Sequence, residues 1–367
     1  MKRTLLSILL VFLCTIFIFA QEKSKIQIAI ILDTSNSMDG LIEQAKAQLW
    51  KIVNQMALAR KNGQIPDLKI ALYEYGNDGL PASEGYVRQV VPMTSDLDIV
   101  SEKLFQLKTY GGNEYCGYVI DKAVNQLEWS KDNGDLKMIF IAGNEPFNQG
   151  TVDYKKSCKE SITKGIVVNT IFCGNTDEGI RDLWKDGADL ADGKYMNIDQ
   201  NVVAANIETP YDDQIIKLNE DLNGTYISYT STGRTAQERQ ITQDNNAKSV
   251  SKSNLASRGV SKGSGLYDNS TWDLVDAKKK NKVKMDEVEE SELPDEMKKM
   301  SKDEREKYIE DKTKERERIT NEIQQIDKKR REYIAEKEKE NQKDNTLNNA
   351  IIESVHDDAV DKGFIFE

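Results

Sequence analysis

The sequence predicts an α/β protein with a doubly wound, mostly parallel sheet, followed by a polar linker and a charged helical C-terminal region. Three observations predict it. Short apolar runs such as Ile26–Leu32, Leu136–Ala142 and Ile166–Phe172 have the length and character of strands buried on both faces. Between them lie segments with apolar residues at three- and four-residue spacing, as amphipathic helices require. Beyond about residue 201 the alternation gives way to polar and then Lys/Glu/Arg-rich sequence.

Residues 1–20 read as a signal peptide: Lys2 and Arg3, an apolar stretch from Leu5 to Phe19, and Ala20 as a small cleavage residue. The stretch is shorter than the ~20 residues that span a bilayer, so cleavage without an anchor is expected. Cys14 follows Leu13, where a lipoprotein site needs a small residue, so no lipid anchor is expected.

The first strand, Ile26–Leu32, leads into a helix with Leu41, Ile42, Ala45, Leu49, Ile52, Val53 and Met56 on one face. Asp39 is its expected N-cap and Gly63 its expected stop. Leu68–Tyr75 and Tyr86–Val91 read as strands, and Ser95 as the cap of a helix to Leu107. A helix over Gly117–Leu127 precedes the second buried strand, Leu136–Ala142. A helix over Tyr154–Lys164, ended by Gly165, precedes the third. A short helix, Glu178–Lys185, and a last strand, Lys194–Ile198, complete a unit over residues 25–201. Such a unit packs helices on both faces of its sheet and places ligands at the carboxyl ends of the strands.

Residues 202–230 read as an extension of that unit, with a helix over Asp212–Leu222. Residues 231–270 are rich in Ser, Thr, Asn, Gln and Gly, and their composition predicts a linker. Residues 271–345 read as a charged helical region. Within it Ser301 and Glu304 form a capping-box signature. Tyr308, Ile309, Ile319, Ile323, Ile326, Tyr333 and Ile334 make a thin seam, interrupted by Lys312, Arg316 and Arg330. A helix over residues 301–340 would extend ~60 Å at ~1.5 Å per residue. It reads as a solvated stalk or spacer, with coiled-coil pairing weakened by the interruptions. The tail, 346–367, carries a shorter helix over Leu347–Val360.

Composition narrows the function. The chain carries a net charge of −11, and losing Lys2 and Arg3 with an acid-free leader makes it two charges more negative. Nucleic acid is therefore not the expected partner, since phosphate binding needs a basic surface. The single histidine, His356, lies near the C-terminus, which removes Ser-His triads, Cys-His dyads and most zinc sites.

The informative segment is Ile28-Ala29-Ile30-Ile31-Leu32-Asp33-Thr34-Ser35-Asn36-Ser37-Met38. Asp33, Ser35 and Ser37 lie at the turn from strand to helix, where alternate side chains can converge on one hard cation. Oxygen-only donors suit Mg²⁺ first, then Mn²⁺ or Ca²⁺. This D-x-S-x-S pattern after an apolar strand resembles the first motif of von Willebrand factor type A domains, and the resemblance covers roughly Lys25–Asn201. It implies a Rossmann-like fold with a MIDAS-like metal site that engages a protein partner. The simpler role for the three residues is to cap the helix and tighten the turn.

The family takes further ligands from a G-G-x-T-like turn and a T-D-G turn. Here those loops read Gly111-Gly112-Asn113-Glu114 and Gly143-Asn144-Glu145. Glu114, Asn144 and Glu145 are therefore the remaining candidate metal residues. Asp33 with Glu114 would keep two carboxylates at a dication. A directly bound Glu114 would leave the metal less electron-poor, so weaker recognition of acidic ligands is expected. Glu114 could instead be an acid favoured by a helix's first turn, and Glu145 an ordinary loop acid before proline. Cys158 and Cys173 are a candidate disulfide, with Cys116 as the free thiol. The alternative is three small buried residues.

The reading that follows is an exported protein, periplasmic or extracellular, with no transmembrane segment after cleavage. It binds a partner in the cell envelope as a metal-dependent adhesion or scaffold module and is not an enzyme. A metal-dependent hydrolase is one alternative, although no general base accompanies the candidate ligands. A structural envelope protein with a degenerate metal site is the other. Leu32-Asp33-Thr34-Ser35 also faintly resembles an aspartic-protease turn, but that chemistry needs two such turns on an all-β fold.

Overall fold

A computed structural model describes residues 23–201, 207–340 and 347–367. The expected signal peptide, residues 1–20, lies outside the described residues.

The first strand, β1 (Lys25–Asp33), ends in a short 3₁₀ turn, Asn36–Met38, and then α1 (Asp39–Met56). A two-residue strand, β2 (Ala59–Arg60), precedes β3 (Asp67–Tyr75), β4 (Val87–Thr94) and α2 (Leu97–Gln106). Then come α3 (Cys116–Gln126), β5 (Leu136–Gly143), α4 (Tyr154–Thr163) and β6 (Val167–Cys173). Two short helices, α5 (Thr176–Arg181) and α6 (Trp184–Asp189), stand where one was expected, and β7 (Tyr195–Ile198) closes the unit. The sheet order is β4-β3-β1-β5-β6-β7, parallel except for the edge strand β4.

Strand alternation sends side chains to two separate cores. Ile26, Ile28, Ile30 and Leu32 join Met138, Phe140, Ile171 and Cys173 beneath α1 and α2. Ala29 and Ile31 join Ile139, Ile141, Val168 and Phe172 beneath α3, α4 and α6. Period-two alternation in strands buried on both sides requires this division. It also corrects the disulfide expectation. Cys158 on α4 and Cys173 on β6 belong to opposite faces of the sheet, and both, like Cys116, are free, buried thiols.

Three local expectations shift. Asp96, not Ser95, caps α2, accepting from the Asp98 and Ile99 N–H groups. Asp39 is the first residue of α1 rather than its cap, because the 3₁₀ turn precedes it. The helix ends at Met56, and Gly63 lies beyond it in the turn before β3 with φ 73°.

The largest correction concerns residues 231–270. They are not a linker but form α8 (Gly233–Val250) and α9 (Lys252–Lys262), after α7 (Asp212–Asn223). Every residue of α9 from Ser253 to Lys262 is buried. Many of its polar groups find partners inside: Asn254 Nδ2 donates to the Ala47 carbonyl at 2.6 Å, and Asn54 Nδ2 donates to the Ser257 carbonyl at 2.9 Å. Composition predicted solvent exposure because it counts polar side chains without seeing their partners.

The C-terminal helices also pack rather than project. They are α10 (Leu274–Lys279), α11 (Asp295–Lys298), α12 (Lys302–Glu340) and α13 (Leu347–Asp361). The seam of α12 is buried: Ile319, Ile323 and Ile326 join Ile215, Leu222 and Val260, while Ile309 joins Leu274 and Met297. The arginines that seemed to interrupt it are its polar joints. Arg316 pairs with Asp273 and Asp276 at 2.6 and 2.7 Å, and Arg330 with Asp212 at 2.8 Å. The stalk or coiled-coil expectation therefore gives way to a helix packed along its own chain. Ser301 and Glu304 form the capping box, with Ser301 N–H donating to Glu304 Oε2 at 2.7 Å. Helix α13 lies on α1, and β8 (Ile365–Phe366) pairs with β2. No described helix is long and apolar enough to cross a membrane.

Candidate metal centre

The site is assembled at the carboxyl ends of β1, β3 and β5. Asp33 is the last residue of β1 and is fully buried. Its Oδ1 accepts from the Ser35 N–H at 2.7 Å, which folds the chain back into the turn. Its Oδ2 is buried and has no hydrogen-bond partner among the described residues. An unpartnered buried carboxylate oxygen is costly, so a feature of this kind asks for a ligand. Burial pushes the Asp33 carboxyl up to about 7, against the pull of the Ser35 N–H and hydroxyl, and Glu145 adds repulsion.

Ser35 and Ser37 follow on the 3₁₀ turn. Their hydroxyl oxygens lie 3.2 Å apart. Ser37 Oγ lies 3.2 Å from Asn144 Nδ2 and 3.4 Å from its Oδ1, so the loop after β5 meets the loop after β1. Glu145 is anchored beside them, its carbonyl accepting from Trp184 Nε1 at 2.8 Å and its carboxylate from Gln149 at 3.3 Å.

Glu114 lies just before α3 and is 6% exposed. It does not cap that helix, whose N-terminus has no side-chain cap. Burial, then repulsion from Asp33 and Glu145, pushes its carboxyl up to about 8. A buried acid repelled by two neighbours is a poor surface residue but a reasonable partner for a cation.

Two glycines make room. A Cβ on Gly143 would lie 2.3 Å from Tyr75 Oη and 3.0 Å from Asp33 Oδ2. A Cβ on Gly76, whose φ is 77°, would lie 2.7 Å from Asp33 Oδ1 and 2.9 Å from Glu114 Cγ. The sequence reading missed both roles. A signal existed: β3, β5 and β6 all run into a Gly-Asn pair, namely Gly76-Asn77, Gly143-Asn144 and Gly174-Asn175. Glycine admits the crowded approach, and the asparagine then ties down the following loop, as when Asn77 Oδ1 accepts from the Gly79 N–H at 2.9 Å.

Hydrogen bonds link Asp33 to Ser35, Ser35 to Ser37 and Ser37 to Asn144, Glu114 and Glu145 lie near enough to repel Asp33, and all six offer oxygen. Among the described residues, no three His, Cys, Asp or Glu side chains form a metal cluster by themselves. Any ion here must draw on the serine hydroxyls and the Asn144 amide as well as carboxylates. That donor set, beside the orphaned Asp33 Oδ2, fits a hard divalent cation.

Residues 27–187 match the family model for the von Willebrand factor type A domain. No curated protein gives a match. Among solved structures the chain is similar to BatB, a conserved hypothetical protein of Bacteroides thetaiotaomicron. The identity there is 18% over 47% of this chain and 90% of that one, with a TM-score of 0.36. It is also similar to proximal thread matrix protein 1 of the mussel byssus, described with a zinc-occupied MIDAS motif. That match has 13% identity over 48% and 42% of the two chains, with a TM-score of 0.37. A third is the pilus adhesin SpaC of Lactobacillus rhamnosus GG, at 13% identity over 49% and 28%, with a TM-score of 0.35. The chain therefore spans most of the BatB chain but under half of the other two.

Proposed function

We propose that this chain, which carries a von Willebrand factor type A domain over residues 27–187, binds a protein partner through a divalent cation held by Asp33, Ser35 and Ser37. Glu114, Asn144 and Glu145 complete the surroundings of the ion. Mg²⁺ is the first choice, then Mn²⁺ or Ca²⁺, because every donor is a hard oxygen. The ion supplies positive charge and an open coordination position at the surface. The protein supplies the rest. Asp33 is held by the Ser35 N–H, the two serines are held by the turn into α1, and Asn144 fastens the facing loop to Ser37.

The observation that supports this reading is Asp33 Oδ2, buried with no hydrogen-bond partner among the described residues, on the turn that carries the Ser35 and Ser37 hydroxyls. Domains of this family are typically interaction and adhesion modules, which agrees with a non-enzymatic role. Export through residues 1–20 to the periplasm or beyond, and a partner in the envelope, belong to the same proposal. Calorimetric titration with Mg²⁺ and Mn²⁺ tests it. Wild-type protein should take up one ion and melt higher with it, since a ligand specific for the native state stabilises that state. Asp33→Asn and Ser35→Ala should lose both effects. A melting point indifferent to metal and to EDTA would end the proposal.

A further inference from the structure

We infer that Asn77 is a positioning residue of the cation site: it clasps the loop that carries Glu114 and so holds that acid beside Asp33. The inference rests on the metal-dependent reading above and assigns the support of one of its carboxylates.

Glu114 is delivered by the loop between α2 and α3 rather than by a strand, so the sheet alone does not fix it. It is nevertheless buried, and Gly76 shows how near it comes to Asp33. The point where a Cβ on Gly76 would stand lies 2.9 Å from Glu114 Cγ and 2.7 Å from Asp33 Oδ1. Two acids brought this close repel each other unless a cation lies between them, so the loop needs a hold of its own.

That hold is a row of hydrogen bonds to the turns after β1 and β3. Asn77 Nδ2 donates to the Lys108 carbonyl at 3.0 Å and reaches Thr34 Oγ1 at 3.5 Å. The Tyr110 N–H donates to the Thr34 carbonyl at 2.9 Å, and the Asp78 N–H to the Gly111 carbonyl at 2.5 Å. Gly112 then lies so tight against the exit of β3 that a Cβ on it would stand 2.3 Å from the Gly76 carbonyl oxygen. Glu114 follows two residues later. Asn77 serves this row twice. Its amide nitrogen ties the incoming end of the loop, and its Oδ1 accepts from the Gly79 N–H at 2.9 Å, shaping the turn that presents the Asp78 N–H. The Thr109 hydroxyl adds a tie to Asp39 on α1. The bonds at Tyr110 and Asp78 use backbone groups that any residue but proline supplies, whereas the tie to Lys108 depends on the Asn77 side chain.

The test uses the full chain with Asn77→Ala, Asn77→Ser, Glu114→Gln and the Asn77→Ser/Glu114→Gln double variant. A serine hydroxyl can still accept from the Gly79 N–H but is too short for the Lys108 carbonyl, so that variant keeps the turn and loses the clasp. Calorimetry reads Mn²⁺ affinity, and hydrogen exchange over residues 107–115 in EDTA reads the loop without any metal. Asn77→Ser and Asn77→Ala should each weaken Mn²⁺ about tenfold, the scale expected when a group that orients a metal ligand is removed. Exchange over 107–115 should quicken in both. Glu114→Gln should weaken Mn²⁺ too, and Asn77→Ser should then add less than about twofold, because the two residues act in series. Full additivity of the two substitutions, or exchange unchanged from wild type, would overturn the inference. Mn²⁺ affinity indifferent to Glu114→Gln would overturn it while sparing Asp33, Ser35 and Ser37 as the ion's holders. Absence of Mn²⁺ uptake by wild-type protein would overturn the metal reading and this inference with it.

Discussion

Replacing Arg258 by alanine tests whether the C-terminal helices are part of one folded unit with the α/β domain. Its side chain on α9 is fully buried. It donates to Asp98 Oδ1 on α2 at 2.8 Å, to Asp244 Oδ1 on α8 at 2.5 Å, and to the Gln240 carbonyl at 2.9 Å. The guanidinium also lies 4.6 Å from the centre of the Trp50 ring on α1. One side chain therefore ties two helices of the α/β unit to two of the extension.

The cost follows from what remains after its removal. Asp244 keeps Lys262 at 3.0 Å, with Asn219 and Asn223 at 3.1 and 2.8 Å. Asp98, 4% exposed, keeps the Tyr267 hydroxyl at 2.6 Å but loses its only ion pair among the described residues. Leaving one partner of a buried pair uncompensated costs about 3–5 kcal/mol. In a chain of this size that corresponds to a fall in Tm of roughly 6–20 °C, from about 2–4 °C per kcal/mol. Calorimetry and urea unfolding measure it. Neutralising the orphan in Asp98→Asn with Arg258→Met should recover part of the loss. If Arg258→Ala melted within about 1 kcal/mol of wild type, the joint would carry no weight and the packing of α9 on the domain would be wrong.

Gly143→Ala should lower Mn²⁺ affinity at least tenfold, because a methyl at the end of β5 crowds Tyr75 Oη and Asp33 Oδ2; calorimetric titration on protein shown by circular dichroism to be folded checks it, and unchanged affinity would dissociate the glycine from the site. Burial raises the Asp244 carboxyl, but Lys262, Arg258 and the Asn223 amide outweigh it and hold the group well below its usual range. Its stabilisation is therefore full above an unfolded pKa of about 3.9 and is lost as pH falls below it. Urea unfolding from pH 5 down to 2 should show a shallower acid loss in Asp244→Asn than in wild type. Cys116, Cys158 and Cys173 are buried, and burial raises all three thiols, Cys158 to about 12. A thiol reagent at neutral pH should leave the native α/β unit unlabelled and modify all three sites once it is unfolded in urea, with rapid native labelling of any of them arguing against this packing.

How much of this was legible depended on whether the signal was local. The runs that became β1, β5 and β6 need only be apolar over seven or so residues, and α1 needs only a three- and four-residue repeat. Asp33, Ser35 and Ser37 are also local, since one turn delivers all three. The loops after α2 and β5 were harder. Asn144 and Glu145 come near Asp33 because parallel strands align their carboxyl ends, Glu114 because the loop between α2 and α3 folds back over that end of the sheet, and Gly76 and Gly143 matter only through what their missing Cβ atoms would touch. The C-terminal half was illegible for a different reason. Ser253, Asn254, Ser257, Arg258 and Ser261 are buried as a hydrogen-bonded set, and no periodicity of apolar residues announces them. Arg316 and Arg330 looked like faults in a seam because their carboxylates, Asp273, Asp276 and Asp212, lie far away in sequence.

Those two halves meet on α1, which constrains how the site can behave. The helix starts just beyond Ser37 and packs against α9 and α13 along its outer side. Gln44, one turn from its start and 3% exposed, donates to the Asp199 carbonyl at 2.8 Å and accepts from the Leu347 N–H at 3.1 Å. The exit of β7, the beginning of α13 and the early part of α1 are therefore braced by one buried amide. Gly40 tightens the same junction, because a Cβ there would lie 2.3 Å from the Gln200 carbonyl oxygen. A movement of the Ser35–Ser37 turn that carried α1 with it would have to break contacts with the C-terminal helices. Equally, loosening those helices removes the outer support of the turn. Helices α9 and α13 thus form the wall behind that turn, and a cation bound there should be held more weakly when the wall is loosened.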